Sequence, residues 1–263
     1  MDDAERLQRA SVDRQRRHVR EEDRNSVRTL SASLHDLAEI QREMGRRECV
    51  DAYRESFDIA LRIEERSGAA SAALNLGKAY ENLVQLRDLD EAEHWYRKGL
   101  GLIPSGDRMY RAGALGQLGK VAHERFKEAR AAKAPEPELR RHFNDALRWC
   151  REAVEMTPPD AIAFLAAGHD QLGTIYGYGG DLDLALHHWR ESIRLKESGG
   201  DFYGAAATRY NVAAALANEG RLADARQYAE AALRGLQTYG ASAANGVQET
   251  LALISRIVKA AAA

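Results

Sequence analysis

The chain of 263 residues is 44% hydrophobic but only 7% aromatic, and its 38 basic and 40 acidic residues leave a formal charge of −2. Low aromatic content beside abundant Ala, Leu, Arg and Glu favours helices packed through small residues over a β-sandwich or barrel. The charge balance argues against a nucleic-acid binder that relies on an overall positive field.

Two cysteines, Cys49 and Cys150, supply neither a disulfide framework nor a metal-ligand spacing, and they fit a reducing, cytoplasmic setting. The N-terminus has no apolar signal core, and no stretch of about 18 apolar residues is present to span a membrane.

Residues 1–24 are densely charged, with Leu7, Ala10 and Val12 among many Arg and Glu. They read either as a solvated, frayed helix or as the second helix of a hairpin whose first helix lies upstream, which would make the chain part of a longer protein. A new helix is expected from Asn25 or Ser26, with Leu30, Leu34, Leu37 and Ile40 on one face and an end at Gly45. Its partner, from about Cys49 to Glu65, turns Tyr53, Phe57, Ala60 and Ile63 inward and completes a hairpin over 25–67.

The next hairpin, 69–103, carries Leu76-Gly77 and Tyr80 in its first helix and Ala92, Tyr96 and Leu100 in its second. The third, 107–157, carries Leu118-Gly119 and Ala122, then Ala146, Cys150 and Ala153. From Gly119 to Ala146 is 27 residues, against 12 from Gly173 to Ala185 in the next unit. The excess, around 124–142, reads as two helix extensions about Pro135 and Pro137, protruding by about two helical turns.

The fourth hairpin, 160–197, is the most regular, with Leu172-Gly173 and Tyr176, a turn at Gly179-Gly180, then Ala185 and Trp189. The fifth, 201–238, has Val212-Ala213 and Leu216, Gly220 at the turn, then Ala225, Ala229 and Ala232. Residues 241–263 form a last helix and tail, with Leu251, Ile254, Ile257 and Val258 on one side, as a cap over the final hairpin requires. The equivalent small residues Ala38, Gly77, Gly119, Gly173 and Ala213 are separated by 39, 42, 54 and 40 residues. Such regularity defines an all-α chain built from about five helical hairpins spanning 25–240.

The recurring pattern L-G-x2-Y followed by A-x3-F resembles the tetratricopeptide repeat (TPR) family. The long spacing is similar to the arrays of kinesin light chain and of bacterial signalling ATPases of the multidomain STAND type. Departures are visible: no repeat has Trp at the first anchor, Ala38 and Ala213 replace the motif Gly, and the third repeat lacks the motif Tyr. The resemblance implies a right-handed α-solenoid with a C-terminal capping helix, first helices lining a concave groove, protein or peptide binding, and no catalysis or cofactor.

Two residues before each small position stand Asp36, Asn75, Gln117, Gln171 and Asn211. Four of these are carboxamides, which both donate and accept and so suit pairing with the backbone of an extended peptide; in the kinesin light chain-like repeats an Asn here clamps the peptide. The competing reading is a row of polar side chains on a solvated helix face.

One residue past the small position, Lys78 and Lys120, with Glu39 in the first repeat, fall on the same face. They are either contacts for an acidic segment or terminal carboxylate, or ordinary solvated charges. Tyr178 and Tyr210 are candidate flat contacts, and Tyr178 could equally pack between repeats.

His187 and His188 point about 100° apart on a helix, so a surface or packing role is expected and no metal site. Cys150 reads as a small buried hydrophobe, with His142 about 12 Å away along the helix. The glycine pairs at 179–180 and 199–200 lack the preceding strand and GK[ST] of a nucleotide loop.

The leading expectation is a protein- or peptide-binding scaffold, without nucleic-acid or membrane partners and with no catalytic residue. The alternative is a sensor, autoinhibitory or oligomerisation module of a larger bacterial signalling or defence protein, self-associating or docking through the 124–142 insertion. An enzyme is the weakest of the three, because no nucleophile–base pair is visible.

Overall fold

Residues 2–262 are described by the computed structural model, without the side chain of Asp2. They form α1 (Asp2–His18), α2 (Arg24–Glu43), α3 (Cys49–Arg62), α4 (Arg66–Asn82), α5 (Leu89–Leu102), α6 (Arg108–Ala131) and α7 (Glu136–Met156). Then follow α8 (Ile162–Gly179), α9 (Leu182–Ser198), α10 (Phe202–Asn218), α11 (Leu222–Gln237), a 3-10 turn at Gly240–Ala243 and α12 (Ala244–Ala261). No strand occurs among the described residues. The chain divides into two compact units, 1–129 and 130–263.

In the first unit each helix packs on its neighbours in sequence, α1 on α2, α2 on α3, α3 on α4 and α4 on α5. α2 starts one residue before Asn25, because the Asp23 carboxylate caps it by accepting the Asn25 N–H at 3.0 Å. Val27, Leu30, Leu34 and Leu37 of α2 meet Val12 of α1 and Ile59 of α3 in one buried cluster. α1 therefore docks through Val12, while Leu7 is 67% exposed on the opposite side. Its inner face is otherwise polar: buried Glu5 receives Arg9 at 2.9 Å, Gln41 at 3.1 Å and Arg46 at 2.6 Å.

A second cluster joins Tyr53, Phe57 and Ala60 of α3 to Ala72, Ala73, Leu76 and Ala79 of α4 and to Trp95 of α5. Alanines on α4 permit the approach, and aromatic rings fill the space it leaves. A Cβ on Gly77 would lie 2.6 Å from the ring of buried Tyr96, whose hydroxyl donates to Glu81 at 2.6 Å. α5 is capped by Asp88, which accepts the N–H groups of Asp90 at 2.9 Å and Glu91 at 3.0 Å.

Around the insertion α6 runs to Ala131 and α7 starts at Glu136, so both flanks are helical, with Pro135 and Pro137 at the start of α7, where no intrahelical N–H is needed.

The second unit repeats the neighbour-on-neighbour packing from α7 through α12. A Cβ on Gly173 would meet the Trp189 indole at 2.6 Å, and one on Gly177 would meet it at 2.8 Å. Gly180, at φ +86°, makes the left-handed turn into α9, and Asp181 then caps that helix on Leu184 N at 3.1 Å.

α12 departs from expectation. It buries Thr250, Leu253 and Ile257, whereas Leu251 is 49% exposed and Val258 also faces out. The helix carries two apolar stripes, and the one holding Thr250, Leu253 and Ile257 is turned inward. A Cβ on Gly246 would stand only 3.3 Å from Leu236 of α11, an approach that larger residues would prevent.

Two glycines separate the packing role from helix propensity. Gly77→Ala gains propensity but collides with a ring that cannot retreat, and a net loss of about 1–3 kcal/mol is expected by denaturant melting. At Gly113 in α6 a Cβ meets nothing within 4 Å, so Gly113→Ala is expected to stabilise by about 0.5–1 kcal/mol. Opposite signs, or equal effects, would contradict this account.

A further expectation concerns α1. The bond from Arg9, then that from Gln41, holds the Glu5 carboxyl below its ordinary range. Its contribution is therefore present above the unfolded carboxylate range and lost as pH falls through the depressed folded value. Hydrogen exchange in residues 2–18 should accelerate under acid before the rest of the unit, and Glu5→Gln should shrink that difference.

Candidate functional site

Because successive hairpins stack, first helices come side by side: α4 contacts α2 in the first unit, and α10 contacts α8 in the second. These helices carry Asn75 and Lys78 on α4, Gln171 and Tyr178 on α8, and Tyr210 and Asn211 on α10.

In the first unit, Asn75 is only 9% exposed. Its Nδ2 donates to His35 Nε2 at 3.1 Å and to Glu39 Oε2 at 3.3 Å across the α2–α4 boundary. The His35 contact requires Nε2 as acceptor, so that ring carries its proton on Nδ1. Glu39 also accepts from the Tyr53 hydroxyl at 2.8 Å and from Arg42. The Asn75 amide is thus held in one orientation, and its Oδ1 receives no donor from the described residues.

Beside it, α2, the end of α3 and the start of α4 enclose a cavity of about 220 Å³, reached by Arg28, Ala32, His35, Asp36, Gly68 and Ser71. Asp36 is exposed at its rim, and Lys78 lies half-buried one turn beyond Asn75. Burial, ahead of the opposing pull of Glu39, lowers the pKa of His35, with Lys78 adding to the effect.

On α6, Gln117 is half-buried, and Lys120 is engaged: its Nζ lies 3.1 Å from Oε1 of buried Glu81 on α4. Lys120 therefore brings less free positive charge to this face than its spacing alone suggested.

In the second unit Gln171 on α8 and Asn211 on α10 are both half-buried. The bridge between these helices comes from their neighbours: Asp170 accepts from Thr208 at 2.8 Å, and Thr208 accepts from Lys196 at 2.7 Å. Tyr210 is half-buried beside Asn211. Tyr178 is 44% exposed at the end of α8, where the Arg130 guanidinium lies 5.9 Å from its ring and Arg130 Nη1 donates to its carbonyl at 2.6 Å.

Both thiols are buried, and burial raises them to about 11 at Cys49 and about 12 at Cys150, so neither is a thiolate near neutrality. The residues that sequence reasoning missed are His35, Ser71, Asp170 and Thr208. His35 and Asp170 occupy the same repeat position, one before the carboxamide row.

No protein-family model matches the chain, and no curated protein matches it in sequence. Solved structures do match in fold. The crystal structure of BtubC (BKLC) from P. vanneervenii superposes with a TM-score of 0.72 at 20% identity, covering 90% of this chain and 91% of that one. The chain has the fold of a tetratricopeptide-repeat array. The apo form of RapI shares it more distantly, with a TM-score of 0.58 at 12% identity over 88% of this chain and 82% of that one. Along the array, no described helix is long and apolar enough to cross a membrane.

Buried histidines make the array's stability depend on pH. Burial pushes His123 down to about 4, against an ordinary value near 6.5. Above 6.5 the ring is neutral in both states; between 6.5 and 4 only the unfolded chain takes the proton, so stability falls as pH falls across that window. The full effect is roughly 3 kcal/mol for this residue. Urea unfolding at stepped pH should show the decline, and His123→Leu should flatten it.

Proposed function

We propose that this chain is a protein-interaction scaffold whose first-helix faces hold an extended peptide segment. The observation that carries the proposal is the α2–α4 surface, where a buried, pre-oriented carboxamide stands beside a cavity of side-chain size. At about 220 Å³ the cavity is smaller than the roughly 300–1,000 Å³ of pockets that enclose drug-sized ligands. It suits one residue of a longer ligand.

An extended peptide exposes alternating N–H and C=O groups, and a carboxamide can satisfy either. Asn75 is already fixed by His35 and Glu39, so presenting Oδ1 to a peptide N–H costs little further ordering. Gln117, Gln171 and Asn211 continue the carboxamide row in their own repeats, and Lys78 offers a cation next to the Asn75 position. Tyr210 adds an aromatic surface beside Asn211.

The test is selection of a random linear-peptide library on the full chain, followed by affinity measurement on two variants. Ala32→Trp fills the cavity from an exposed position, and Asp36→Arg reverses the charge at its rim. Both should weaken selected peptides at least tenfold, about 1.4 kcal/mol, with the melting temperature unchanged. Unaltered affinity in both variants would remove the α2–α4 surface from the binding site, and a library that yields no binder would remove the peptide-binding role itself.

A further inference from the structure

His187 and His188 are adjacent on α9 and cannot easily share an ion, but the fold supplies His188 with a different partner. His169, on α8, lies across the α8–α9 hairpin, and the two Nδ1 atoms are 3.0 Å apart, with ring centroids at 5.2 Å and planes tilted by 36°. The His188 ring is fixed in turn: Tyr176 stacks on it with centroids 5.5 Å apart and planes within 3°, and Arg151 of α7 donates to the Tyr176 hydroxyl. Both histidines are half-buried, so the pair is reachable from solvent.

Left alone, one Nδ1 carries a proton and the other accepts it. The same separation also suits chelation. Metal–imidazole bonds of about 2.0–2.1 Å, at angles between octahedral and tetrahedral, put two ligand nitrogens roughly 2.8–3.4 Å apart. We propose that His169 and His188 form a two-histidine chelate for a divalent transition-metal ion of the imidazole-binding class, clamping α8 to α9.

Imidazole pairs select Cu²⁺, Ni²⁺ and Zn²⁺ over Mg²⁺ and Ca²⁺, with Cu²⁺ bound most tightly. On binding, the donor histidine moves its proton from Nδ1 to Nε2 through water, so a neutral pair loses no net proton. Burial lowers the pKa of both rings, reinforced at His188 by His169, His187 and Arg151, which is the direction that favours the neutral imidazole a metal needs. Arg151, Arg194 and His187 oppose a cation here, and the Glu191 carboxylate, which acts electrostatically on His169, favours it. Two protein ligands leave the other coordination positions open to water or to a side chain of a bound partner.

The experiment titrates the full, untagged chain with CuCl₂, NiCl₂ and ZnCl₂ separately, by calorimetry and thermal melting. One ion per chain is expected, tightest for Cu²⁺, with a raised melting temperature. His169→Gln and His188→Gln, which keep size and hydrogen-bonding capacity, should each lose at least tenfold in affinity, while His187→Gln should not.

On the unmodified protein, substoichiometric Cu²⁺ should broaden the ring resonances of His169 and His188 first, a readout that needs no variant to fold. Absence of saturable binding at millimolar metal would overturn the proposal. So would equal loss in His187→Gln, or first broadening at another histidine such as His142.

Discussion

Everything in the two units depends on how near one helix is allowed to come to the next. Gly77 lies against Tyr96, and Gly173 and Gly177 lie against Trp189. In each case the absent side chain on one helix is occupied by an aromatic ring from the other. A buried ring supplies far more apolar area than a buried alanine, so a chain that is only 7% aromatic can still close its hairpins. Interiors packed to this density tolerate little change of volume. The rotation of each helix about its own axis is therefore set by these contacts, and that rotation decides which polar residues reach the shared face of the first helices.

The architecture was legible because its determinants are local. A small residue followed by a large one at fixed offsets, repeated every 39 to 42 residues once the insertion is set aside, is visible without any knowledge of tertiary contacts. Asn75, Gln117, Gln171 and Asn211 were equally visible as a row. Their engagement was not, since it turns on which groups of the neighbouring repeat lie opposite. Asn75 is bound by His35 and Glu39, some 40 and 36 residues earlier in the chain. At the corresponding boundary in the second unit Asp170 and Thr208 form a bridge.

Other features escaped for different physical reasons. Lys120 read from sequence either as a groove contact or as an ordinary solvated charge, and the fold places buried Glu81 beside it. His188 looked like half of an unhelpful adjacent pair, because its real partner, His169, is 19 residues away with no motif joining them. On α12 the periodicity offers two apolar stripes, and the fold buries the one that includes Thr250, Leu253 and Ile257, where Gly246 lies close to Leu236. In each instance sequence fixes the side chain's chemistry, and the packing of neighbouring helices fixes what it meets.

The order of packing has a kinetic consequence. Within each unit most helix contacts fall between consecutive elements. Such a chain closes mainly short loops before its apolar surfaces are rewarded, and helical proteins of low contact order fold in about microseconds to milliseconds. Folding can begin at whichever hairpin forms first and spread to its neighbours in either direction. A partner that grips two adjacent first helices would then act on more than those two hairpins, because holding one pair together lowers the cost of adding the next.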